Sequence, residues 1–102
     1  MAKFLVVQSA PEGPVPPEVM NTAMPAQMAY FKKLKEQGKI ESIYAFAAEK
    51  GGCGIFEVDS HEELLKIATE NPMWPFVSWD VWPLTSMDEA EKVTMEVIKQ
   101  MP

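Results

Sequence analysis

Four short runs of this chain are apolar at consecutive positions, where a half-buried strand would alternate. Phe4 and Val6 are interleaved with Leu5 and Val7, Tyr44 and Phe46 with Ile43 and Ala45, Phe56 with Ile55, and Phe76 and Trp82 with Val77, Trp79 and Val81. Successive strand side chains point to opposite faces, so runs of this kind belong to strands covered on both sides. The 102 residues make a single domain, 1–102, because two cores would leave each half too small to stabilise itself. The hydrophobic class is 47% of the chain and, with the 5 glycines added, slightly exceeds the ~45–50% of ordinary globular domains. That content excludes disorder for the chain as a whole and strains what a lone domain of this size can hide.

The runs alternate with helical patterns. A buried strand over 3–9 is followed by the breakers Ala10-Pro11-Glu12-Gly13-Pro14, which read as a loop stiffened by Pro14, Pro16 and Pro17. Pro17 suits a first helical position, and Met20, Met24, Met28, Phe31 and Leu34 recur at helical spacing up to a stop at Gly38. Pro25 removes a donor inside this helix, so a kink is expected there, or a short first turn with the helix restarting at Pro25. Residues 40–48 and 53–58 read as a hairpin joined across 49–52. Ser60-His61-Glu62-Glu63 is a capping box opening a helix that must end before Pro72, with Leu64, Ile67 and Ala68 inward. A fourth strand fits 76–81, closed by Pro83. A second capping box, Ser86-Met87-Asp88-Glu89, opens a last helix with the stripe Met87, Ala90, Val93, Val97 and Met101.

Strand, helix, strand, strand, helix, strand, helix is the ferredoxin-like βαββαβ order with an extra C-terminal helix. It makes an α+β fold with a four-stranded antiparallel sheet and two helices on one face. The other face of such a sheet should be polar, and here it is not. The expected cover is the sheet of a second subunit, giving a closed two-chain barrel with helices outside; the alternative is a third layer from the chain's own C-terminal helix.

Charge and cysteine content exclude several functions. The net charge is −6, and the largest basic cluster is Lys32-Lys33 with Lys35, which argues against nucleic acid as a partner. Cys53, the single cysteine, cannot form an intrachain disulfide, and with His61, the single histidine, it cannot assemble a metal site. No apolar run reaches the ~18 residues of a membrane span, and the run after Met1-Ala2-Lys3 is too short for a signal segment, so a cytoplasmic protein without membrane or cofactor is expected. Gly51-Gly52-Cys53-Gly54 joins two strands rather than opening a helix, and is not a phosphate cradle.

From 34 to 58 and from 60 to 84 the chain resembles the muconolactone isomerase family of small dimeric α/β barrels. The resemblance rests on the helix end at Gly38 with its hairpin, on Asp59-Ser60 and the Glu63-Leu64 helix start, and on Pro72-Met73-Trp74-Pro75-Phe76 leading to Val81 and Pro83-Leu84. It implies cofactor-free proton transfer on a small unsaturated lactone acid, which needs an acid or base in a dry pocket and a donor for the substrate carboxylate. Two departures stand out. The carboxylate that such isomerases carry on the first helix falls on Gln27, which takes no proton at neutral pH. The Trp-Arg pair of the second strand becomes Tyr44-Ala45, and the chain has no arginine at all. Lys33 could keep a basic function, although its periodicity reads first as a solvated helix position.

The remaining candidates have two readings each. Met20, Met24 and Met28, with Met73 and Trp74, read first as helix-to-sheet core and second as a soft wall for a flat ligand. Tyr44 suits a pocket hydrogen bond and a dimer contact equally. Glu57 and Asp80, on strands otherwise apolar, are the candidate general bases, against a plainer placing near strand ends in water. His61 reads as a solvated first-turn residue and Cys53 as a buried structural thiol. The sequence therefore points to a homodimeric protein that handles a small organic ligand through Met24, Gln27, Met28, Lys33, Tyr44 and Trp74, with catalysis by Glu57 or Asp80, or else to a non-catalytic binding or assembly module.

Overall fold

The strand run at the N-terminus sits at the middle of the sheet. In the computed structural model, which describes residues 1–10 and 13–102, β1 (Ala2–Ser9) pairs antiparallel with β3 (Gly52–Val58) on one side and β4 (Ser78–Leu84) on the other. β2 (Ile40–Ala45) pairs antiparallel with β3 at one edge, so the order is β2-β3-β1-β4, that of a ferredoxin-like sheet. The loop residues Pro11 and Glu12 lie outside the described residues.

Two helices cover one face. α1 (Pro17–Glu36) starts with Pro17 at its first position, where the missing N–H costs nothing. It runs without interruption through Pro25, correcting the expected restart: Pro25 and Asn21, whose carbonyl loses its partner, are both exposed, so the gap falls on the solvent side of the helix. The helix ends at Gly38, whose φ of 76° suits only glycine, and the Lys39 N–H closes on the Leu34 carbonyl at 2.9 Å. α2 (His61–Glu70) is capped as expected, the Ser60 hydroxyl accepting from the Glu63 N–H at 3.1 Å. The Glu63 carboxylate turns instead to Lys39 Nζ, 3.3 Å away. Leu34 of α1 and Leu64 and Ile67 of α2 bury against Phe4, Val6, Ile40, Phe56 and Val58 of the sheet, and these eight side chains form the core.

Three expectations are corrected. β2 ends at Ala45 rather than residue 48, leaving a longer hairpin loop. β4 begins later than residue 76, because Trp74–Phe76 forms a 3-10 turn, and it continues through Pro83 to Leu84. An edge strand tolerates that proline, since the N–H it lacks has no partner to serve on the open side. Finally, α3 (Met87–Lys99) buries none of its residues, so the chain's own last helix supplies no third layer. The radius of gyration is 16.9 Å, against ~13 Å for a compact chain of this length, with a long dimension of 61 Å. Such dimensions fit a helix of about 20 Å projecting from the body. The second sheet face is left uncovered by the chain itself: Leu5 stands between Ile55 and Trp82 there, and Leu84 lies farther along the same edge.

Candidate functional site

The face between α1 and the sheet is not filled. Alternation places Val6, Gly54 and Ile43 side by side on the helix-facing side of β1, β3 and β2, and the central one has no side chain. Opposite them, α1 offers Met20, Met24, Gln27, Met28 and Phe31, with the spacing of one helix face. The gap between is a cavity of about 700 Å³, in the range that holds small ligands. Met73 and Trp79 close it toward β4, and Lys32, Lys35 and Lys50 stand at its exposed margin. The wall is therefore mostly thioether and aromatic carbon, surfaces that adapt to a flat apolar body.

One polar network interrupts this wall. Gln27, only 3% exposed, has its Oε1 accepting from Gln8 Nε2 at 3.0 Å. Gln8 Oε1 in turn accepts from Trp79 Nε1 at 3.1 Å and from Asn71 Nδ2 at 3.4 Å. The buried Asn71 is held by the Met73 backbone N–H, which donates to its Oδ1 at 2.8 Å. Among the described residues, Gln27 Nε2 has only the Met24 sulfur, 3.7 Å away. Thioether sulfur is a weak acceptor, and leaving a buried amide donor poorly satisfied costs about 1–3 kcal/mol. A ligand oxygen placed there would recover that cost.

The sequence candidates separate on this geometry. Met24, Gln27 and Met28 line the cavity; Tyr44 borders it from β2 at 67% exposure, with alternation placing its side chain on the sheet face away from α1. Cys53, expected to be buried, is half-buried; β3 carries it along the cavity floor, but its register opposite Val7 places the thiol on the sheet face away from α1. Lys33 does not line it; its neighbours Lys32 and Lys35 do. Trp74 lies in a separate shallower depression with His61 and Leu64, beside β4. Neither expected base is brought to the cavity. Glu57 Oε1 is 3.2 Å from Lys3 Nζ, on the sheet face away from α1, and Asp80, on the same face, is exposed. Hydrogen bonds from Lys3 to Glu57 and then Glu41 raise the Lys3 pKa above its usual value, as expected for an ammonium between two carboxylates. Among the described residues no carboxylate lines the cavity, and no cluster of metal-ligating side chains occurs. Among them, too, no helix is long and apolar enough to cross a membrane.

Sequence reasoning missed Gln8, Asn71 and Trp79 as site residues. Gln8 was detectable as the one amide at the end of an apolar strand run, in phase with Phe4 and Val6. Asn71 was not, because its role depends on the turn after α2.

A ferredoxin-like sheet carrying one apolar, helix-roofed cavity defines a class of small α+β proteins that handle small molecules. The muconolactone delta-isomerase family pattern matches residues 4–90, and the chain belongs to that family. It is 29% identical over 69 residues to the muconolactone delta-isomerase of Rhodococcus opacus, covering 68% of this chain and 74% of that protein. With the enzyme of the same name from Acinetobacter baylyi it shares 30% identity over 70 residues, 69% of this chain and 73% of that one. Crystalline muconolactone isomerase superposes with a TM-score of 0.74 at 18% identity, covering 82% of this chain and 88% of the other. A 5-chloro-2-hydroxyhydroquinone dehydrochlorinase from Burkholderia phenoliruptrix, in complex with 2,5-dihydroxybenzoquinone, superposes with a TM-score of 0.64 at 19% identity, covering 85% and 97%. These two likenesses show a shared fold.

Proposed function

We propose that the protein holds a small lactone or related aromatic-derived acid in the cavity between α1 and the sheet, for proton-transfer isomerisation without a cofactor. The observation that carries this is the buried amide of Gln27 set in the mostly apolar interior of a cavity of about 700 Å³, with lysines at its exposed margin. Membership of the muconolactone delta-isomerase family supports it, and so does the dehydrochlorinase of similar fold in complex with a flat oxygenated ring. Gln27 takes no proton at neutral pH; its part is to hold and polarise a carbonyl oxygen. Lys32 and Lys35 at the margin suit a substrate carboxylate, in place of the guanidinium this chain lacks.

A second reading is favoured by the same lining: with no carboxylate among its described residues, the cavity would bind a ligand without turning it over. In either reading we take the working unit to be a homodimer, in which the uncovered sheet face and α3 pack on a second copy.

Muconolactone, its unsaturated isomers and cis,cis-muconate test the reading by thermal shift and by an isomerisation assay on wild type and Gln27→Glu. Stabilisation by a lactone acid, with isomerisation in wild type or gained in Gln27→Glu, is the expected result. No shift with any of them and no activity in either protein would overturn it.

A further inference from the structure

Two groups in the cavity network have no freedom in what they donate. An indole nitrogen is a donor only, and a backbone N–H likewise. Trp79 Nε1–H therefore demands an acceptor, and the Gln8 atom 3.1 Å from it must be oxygen. The Met73 backbone N–H, 2.8 Å from Asn71, fixes that near atom as Oδ1, which turns the Asn71 Nδ2 donor toward Gln8. With its oxygen claimed from both sides, Gln8 has only its NH2 group to offer Gln27, and the Gln27 atom 3.0 Å away must be oxygen. What remains is the NH2 group of the almost wholly buried Gln27, lining the cavity with only the Met24 sulfur at 3.7 Å as partner among the described residues. The polarity of each amide follows from the previous one, starting from two donors that cannot be reversed.

We infer that Trp79, Asn71 and Gln8 form a polarity relay that locks Gln27 as an obligate hydrogen-bond donor, so that the deep end of the cavity selects flat ligands presenting an acceptor oxygen and rejects those presenting only a donor, such as a ring N–H. This rests on the ligand-binding reading above and adds a specificity rule to it. Gln27 is the residue whose amide meets the ligand's polar atom; Gln8 and Trp79, which also line the cavity wall, and Asn71 act on that atom as positioning residues, through Gln27. A free amide could turn over to meet either kind of ligand. Here rotation would set two oxygens or two NH2 groups against each other at the Gln8–Gln27 contact.

Three flat bicycles of nearly equal size separate the possibilities: indan-1-one, with only an acceptor, indole, with only a donor, and indane, with neither. Calorimetric titration of wild type is expected to give indan-1-one at least about tenfold tighter than indole, the size of one hydrogen bond gained against one buried donor left facing another. Gln8→Glu, measured at pH 8 with the carboxylate ionised, accepts from Trp79 and Asn71 and needs a donor from Gln27. That turns Gln27 Oε1 toward the ligand, so the preference reverses to favour indole. Gln8→Met, apolar and of similar length, removes the lock and brings the affinities for indan-1-one and indole together, whatever it does to indane. A merely structural role for Gln8 would weaken all three ligands alike in both variants, leaving the ratio unchanged, and that result overturns the inference. If wild type binds all three equally, the relay is refuted and the cavity reading stands; if it binds none, both fall.

Discussion

The Tyr30 hydroxyl donates to the Ile67 backbone carbonyl across 2.9 Å, tying the middle of α1 to the last turns of α2 on the roof of the sheet. Ile67 is a core side chain, and Tyr30 packs against that core, so this bond joins the two helices where both are held by apolar contact. Burial raises the Tyr30 pKa above 10.0, with the nearby Glu70 charge adding to it, because both disfavour the phenolate. Tyr30→Phe is expected to cost about 1 kcal/mol in denaturant unfolding at pH 7, the net worth of one such bond. The sign of the pH effect follows from linkage: above about pH 10 the unfolded tyrosine loses its proton before the folded one, so wild-type stability falls as pH rises. Unfolding midpoints from pH 8 to 11 should therefore converge between wild type and variant.

Two serine caps of the same local design should behave differently. The Ser60 hydroxyl accepts from Glu63 N–H and the Ser86 hydroxyl from Glu89 N–H, each at 3.1 Å. α2 delivers Leu64 and Ile67 to the core, so Ser60→Ala is expected to lower global stability by about 1 kcal/mol. In a single chain α3 buries nothing, and Ser86→Ala should leave the unfolding midpoint of the monomer unchanged while loosening α3 alone. Hydrogen exchange on dilute protein checks this: protection of 87–99 falls in Ser86→Ala with the sheet unaffected.

Much of this molecule was legible in its sequence because the signals were local. Both caps, the glycine stop at 38 and the strand–helix order are set within a few residues of where they are read. What misled were features whose outcome depends on distant neighbours. Pro25 does not break α1 because it falls on the solvent side, and Pro83 does not end β4 because that strand is an edge. Among site residues, Met24 and Met28 were found from helical spacing and Gln27 from the family resemblance, whereas the partners that orient Gln27 lie 19 or more positions away, on β1, β4 and the turn after α2. Glu57 and Asp80 stood out as acids on apolar strands, but strand phase alone could not say which face held the cavity.

Gly54 keeps that cavity open. A Cβ added there would lie 2.9 Å from the Ser42 carbonyl oxygen and 3.3 Å from a Phe56 ring carbon, closer than a methyl group and a backbone oxygen sit. Gly54→Ala therefore forces β2 or Phe56 to move and is expected to cost about 1–3 kcal/mol, as overpacking does. The same methyl enters the cavity floor, so affinity for any ligand held there should fall together with stability. Thermal melts with and without ligand measure both, and an unchanged affinity would place the ligand elsewhere.

The unpartnered helix makes the most direct prediction about assembly. Val93, Val97 and Ile98 are each at least half exposed in the single chain, on a helix whose apolar stripe has nothing in its own chain to cover. At ~25 cal/mol per Å² of apolar surface, a stripe of this kind buried on a partner supplies several kcal/mol, enough to shift a micromolar equilibrium. The uncovered sheet face adds Leu5, Ile55, Trp82 and Leu84 to the same account. Light scattering of the full chain is expected to give at least twice its 11.5 kDa mass. Removing residues 86–102, or replacing Val93 and Val97 together by glutamate, should lower the mass toward that of one chain. The far-ultraviolet signal of the sheet, α1 and α2 should persist, because α3 contributes no buried residue to them. A helix that served only as a solvated tail would leave the mass unchanged in both variants, and that outcome would remove α3 from the interface.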